Sequence, residues 1–318
     1  MKSGAMVGVV AMVVVGASGC ESILLVAAFV VPLLWGAAYI GQNRSGIMDE
    51  GGQADVIKHF VERRPGAPDA LPNLPGYHFL VIWLTPGEPT LRSARLVTLG
   101  FALAGLAIFA AAWRQIHGKP PGGATFLFAT LPILQPFTAM VYTDVPAITL
   151  LVAAVWAHHG RRPALAAGHL TLACLIRQTC LIWAIYLLVL DALNKFRPRN
   201  GPPPPTRAAL GAWVEDGRWL LLLLAVAVGV VLHAGRLTVG LAHGNRPEPN
   251  LATLHFAGAA LLVFGLPYWV TNGATMARTW WEARQSRPGL TWGLTLLALA
   301  CAGIIALTYT NPHVWNRA

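Results

Sequence analysis

Two adjacent carboxylates, Asp49 and Glu50, follow the first long apolar run of the chain. Six of its thirteen Asp and Glu residues fall between Asp49 and Glu88. A carboxylate just outside a membrane span suits group transfer from a lipid phosphate: it takes the proton from an acceptor hydroxyl while a cation or donors meet the departing phosphate. A solvated start to an acidic loop explains the pair equally well. Further along, Asp144 interrupts two apolar runs within Tyr142-Thr143-Asp144-Val145, and Arg177-Gln178-Thr179 interrupts two more. Ionisable groups at the edge of a span are costly and mark functional candidates. Arg177 wants an anion, either Asp144 or a lipid phosphate. In Leu71-Pro72-Asn73-Leu74-Pro75-Gly76-Tyr77-His78 two prolines and a glycine fix a non-helical entry, or simply a turn, before the apolar stretch Phe79–Leu84, which is too short to span; His78 could donate to a phosphate. His233, Arg236 and His243 form a further polar cluster, in which phosphate binding competes with interfacial snorkelling.

These residues need a frame. The chain has 318 residues, 55% of them apolar and 11% charged, with a mean hydropathy of +0.56. Water-soluble domains carry about 25% charged residues, so this composition indicates a polytopic helical membrane protein. Apolar runs near 21–40, 93–113, 124–141, 146–159, 163–177, 179–193, 218–235, 254–270 and 290–310 predict an all-α fold of about nine transmembrane helices in a single domain, 1–318. Pro32, Pro132 and Pro146 are read as tolerated inside these helices. The net charge of +10 is spread over loops between spans, which argues for positive-inside sorting rather than nucleic-acid binding. Placing Arg114, Lys119, Arg161, Arg162, the 194–217 linker and Arg278–Arg287 in the cytoplasm puts the 41–91 loop on the opposite face, together with Asp144, Arg177 and Arg236. Trp280 and Trp281 fit an interfacial aromatic belt. The four cysteines lie in or beside apolar runs without metal-type spacing.

In this order, Met48-Asp49-Glu50, Pro75-Gly76-Tyr77, Tyr142-Thr143-Asp144-Val145, and Arg177-Gln178-Thr179 with Trp183 resemble the dolichyl-phosphoglucose-dependent alpha-1,2-glucosyltransferases of asparagine-linked glycosylation, of the GT-C class. Leu254-His255-Phe256 fits as well. The resemblance implies a GT-C-like fold and inverting transfer of a hexose, glucose above all, from a polyprenyl-phosphate donor to a glycan or lipid-linked acceptor on the non-cytoplasmic face. It implies Asp49 as base and Glu50 as the group positioning acceptor or metal (Mg or Mn, if a divalent cation takes part). Pro75, Gly76, Tyr77, His78, Tyr142, Asp144, Arg177, Gln178 and Arg236 would line the substrates. The membrane would be a bacterial inner membrane or the endoplasmic reticulum, according to source. Gln53 and Cys180 stand where the family carries histidine and asparagine. Two other readings compete: a transporter or flippase with Asp144 and Arg177 as a midplane relay, and a truncated remnant without activity.

Overall fold

The computed structural model describes residues 19–43, 45–47, 50–65, 74–131, 134–196 and 206–234, and single helical positions between 274 and 299. Those described residues are helical or irregular, with no strand among them. The chain divides into two units, 1–242 and 243–318. In the first, α1 (Gly19–Gln42) leads into α2 (Glu50–Val61), α3 (Gly76–Leu84) and α4 (Leu91–His117). Next come α5 (Gly122–Ala129), a 3₁₀ turn at Gln135–Thr138, α6 (Asp144–His159), α7 (Pro163–Ile176), a second 3₁₀ turn at Gln178–Cys180, α8 (Leu181–Phe196) and α9 (Thr206–Ala234). In the second unit the Arg284 guanidinium lies 5.7 Å from the Trp280 ring, 5.3 Å from Trp281 and 5.6 Å from Trp292.

Among the described residues, α1 and α4 are long and apolar enough to cross a membrane. They coincide with the expected spans 21–40 and 93–113. The other expected spans within the described part appear as shorter or differently bounded helices. The run 124–141 departs most. Its helix closes at Ala129 after eight residues and gives way to a turn and the 3₁₀ segment. Pro136 has no amide to give a continuous helix, and the described backbone on either side of 132–133 is not one helix; Pro132, expected as tolerated inside a span, lies outside the described residues. Pro146 falls instead in the first turn of α6, where a missing amide costs nothing. The 41–91 segment, expected as a loop, contains α2 and α3.

Local chemistry sets the helix ends. Thr90 and Ser93 form a reciprocal capping box at the start of α4, and Gly118, at φ 63°, closes it in the left-handed conformation. Asp144 opens α6, where its charge suits the helix dipole. Packing runs α1 on α4 and α5, α4 on α6, α6 on α7, and α8 on α9. Because α6 runs from Asp144 to His159 and α7 returns to Ile176, the two helices place Asp144 and Arg177 at one end and Arg161 and Arg162 at the other. Gln115, late in α4, lies beside Gly160 at that basic end. Glu21 is also remote from the acidic end: its carboxylate accepts from the Gly123 amide at the start of α5, 3.0 Å away.

Candidate functional site

Glu50 organises the other end of the first unit. Its side chain is fully buried and both oxygens are engaged. Oε1 accepts from Arg95 Nε at 3.0 Å and from the Val141 amide at 2.9 Å. Oε2 accepts from Arg95 Nη2 at 2.6 Å, Tyr39 hydroxyl at 2.9 Å and the Ile47 amide at 3.0 Å. Burial alone would raise this carboxyl, and it is the largest single influence. The Arg95, Ile47, Val141 and Tyr39 bonds together outweigh it and hold Glu50 below its usual value, as the anion.

Glu50 thus has no free oxygen for a divalent cation, and no group of three His, Cys, Asp or Glu among the described residues could hold one. Asp49 precedes Glu50 directly in the chain but lies outside the described residues, as do Met48 and Arg236.

The α2–α3 pair closes over this network. Tyr77 is buried, and its hydroxyl sits 2.8 Å from Thr98 Oγ1. Thr98 already gives its one proton to the Ala94 carbonyl, so Tyr77 is the donor. Burial raises the Tyr77 phenol and keeps it protonated. His78 is buried beside it, with Nε2 2.8 Å from Gln53 Oε1. Burial pushes His78 down to about 4, against the opposing pull of the Pro75 carbonyl. The ring is therefore neutral, and as Gln53 Oε1 only accepts, Nε2 carries the hydrogen. His78 spends that donor inside the protein on Gln53, which stands where the resemblance expects histidine. Gly76 lets α3 meet the backbone at Leu175, near the end of α7.

Asp144 Oδ1 and Arg177 Nη1 form an ion pair, with both side chains about one third exposed. Val141, which bonds Glu50, is three residues before Asp144, so the two charged clusters share one short segment of chain. The apolar floor beneath them contains Tyr77, Ala94, Val141, Ala147, Ala173 and Ile176. The structure thus brings Glu50, Pro75, Gly76, Tyr77, His78, Tyr142, Asp144, Arg177 and Gln178 to one end of the bundle. Sequence reasoning missed Arg95 and Tyr39. Arg95 was the detectable one, as an arginine inside an apolar run four residues after the start of α4.

Residues 77–204 match the model of the DIE2/ALG10 family. This is a family of alpha-1,2-glucosyltransferases, and the similarity runs from the second residue of α3 to the linker beyond α8. The matched stretch includes Tyr77, His78, Arg95, Tyr142, Asp144, Arg177 and Gln178, and begins after the acidic pair. No curated protein and no solved structure matches the chain.

Proposed function

We propose that this chain is an inverting glycosyltransferase that moves a hexose, glucose by preference, from a polyprenyl-phosphate donor to a hydroxyl of a glycan or lipid-linked acceptor. Asp49 takes the hydroxyl proton as the acceptor oxygen attacks the anomeric carbon. The bond from that carbon to the phosphate oxygen breaks, and polyprenyl phosphate leaves with its electrons. Arg177 meets the growing phosphate charge, with Gln178 and Arg236 as further donors. Glu50, whose oxygens are held by protein donors, acts on the placement of Asp49. Tyr142 and the Pro75–His78 segment, where α3 begins, shape the acceptor side. The reaction lies on the membrane face opposite the basic loops.

One observation carries the reading: residues chosen for their chemistry, from segments over 120 residues apart, converge at the end of the bundle away from Arg161 and Arg162. The family match over 77–204 supports the same chemistry. Transfer from radiolabelled polyprenyl phosphoglucose in membranes expressing the chain tests it, with Asp49→Asn alongside. Label reaching an acceptor only with the native residue is expected. Equal transfer by Asp49→Asn would remove Asp49 as base.

A further inference from the structure

Arg95 is 1% exposed, an unusual place for a guanidinium. Besides its two bonds to Glu50, it donates from Nη2 to the Ser45 carbonyl at 2.9 Å and from Nη1 to the Asn43 carbonyl. Its carbon centre stands 4.8 Å from the Tyr39 ring centroid. Buried ion pairs are at best neutral for stability beside apolar side chains of similar volume, so stability alone does not account for this arrangement. What the cluster does is hold the described residues of the connection between α1 and α2. Asn43 and Ser45 are held by their carbonyls, Ile47 by its amide and Glu50 by its side chain, all to the same guanidinium–carboxylate pair.

We propose that Arg95 is a positioning residue for the transfer reaction: by clamping both sides of the Arg44–Ser45 bond and the Glu50 side chain, it fixes where Asp49 meets the acceptor. This rests on the reading of Asp49 as base. Lysine cannot replace it, because a single ammonium cannot serve both carboxylate oxygens and two carbonyls in one plane. The clamp reaches the reaction through Glu50 and the backbone and touches no substrate.

The clamp makes a prediction that does not depend on activity. The Arg44–Ser45 bond is a trypsin site lying between the two held carbonyls. Arg63, exposed after α2, is a reference site within the same chain. In the full-length protein in detergent, Arg95→Lys should be cut after Arg44 at least tenfold faster than native, with cleavage after Arg63 unchanged. Glu50→Gln, which leaves the carbonyl clamps intact, should fall between. In transfer assays both variants should lose at least tenfold in kcat, with the donor KM within about threefold. Native protection at Arg44 in Arg95→Lys, or a native kcat per folded molecule, would overturn the proposal. Equal acceleration at Arg44 and Arg63 would also overturn it, since it would mean general loosening. If native protein transfers nothing from any polyprenyl-phosphate sugar, the functional reading fails, and the proteolysis still decides whether the clamp exists.

Discussion

A Cβ atom at Gly76 would lie 2.6 Å from the Leu175 carbonyl oxygen, so α3 comes up against the main chain of α7 at that point. Any side chain there must push two helices apart, because a carbonyl inside α7 cannot swing away. Gly76→Ala is expected to destabilise the protein by about 1–3 kcal/mol, the usual cost of overpacking. Gly168, on the exposed side of the same α7, has nothing within 4 Å of its would-be Cβ. Gly168→Ala should stabilise by up to about 1 kcal/mol through helix propensity. Melting temperatures of the two variants in detergent should therefore move in opposite directions.

The neutral His78 makes stability depend on pH in a definite direction. Its folded value of about 4 lies below the ordinary 6.5, so the unfolded chain takes up the proton first as pH falls. The stabilising contribution is complete above about 6.5, and is lost as pH falls towards about 4, up to about 3 kcal/mol in all. Melting should drop between pH 7.5 and pH 5, and His78→Gln should show a drop smaller by several degrees. The difference between the two proteins isolates position 78. An unchanged drop in His78→Gln would refute the assignment.

Arg177 and Asp144 form a partly exposed pair, and such pairs contribute about 0–1 kcal/mol. Arg177→Gln should fold with a melting temperature close to native. If Arg177 meets the donor phosphate, the same variant should raise the donor KM or lower kcat/KM by about 10–100-fold, the scale of one lost charge-assisted bond. Native kinetics would leave the pair as structure only.

The sixteen residues of α6 extend about 24 Å, which separates the acidic cluster from the Arg161–Arg162 turn by most of a bilayer core. In a chain with its native cysteines replaced, single cysteines at the exposed Arg64 and Arg161 should respond oppositely to an impermeant maleimide. Arg64→Cys is expected to react from the non-cytoplasmic side, and Arg161→Cys only after permeabilisation. Labelling of both from one side would reverse the orientation proposed for the reaction.

Much of this end of the molecule was legible in the residues. Glu50, Asp144 and Arg177 stand out because charge is rare within apolar sequence, and Gly76 because it follows Pro75 directly, and each proves to have a specific contact. The division of basic loops from acidic candidates along α6 and α7 also follows from charge counting alone. What composition hides is partnership. An arginine four residues into an apolar helix reads as an interfacial snorkel until its carboxylate, 45 positions away, is placed beside it. The expected span at 124–141 departs for a related reason. Hydropathy registers it as one apolar run, whereas the described helix closes at Ala129 and a 3₁₀ turn follows at Gln135–Thr138, with Pro136 lacking the amide a continuous helix needs.

That break between α5 and α6 has an effect beyond shape. Within an uninterrupted helix the amide of residue 141 would be committed to the carbonyl four positions earlier and could serve nothing else. Released from that ladder, the Val141 amide becomes a neutral donor delivered by the main chain, indifferent to pH and to any side-chain substitution. A proline-interrupted run in an apolar protein is in this sense a source of backbone polarity. It lets a carboxylate remain ionised deep inside without recruiting a second cation.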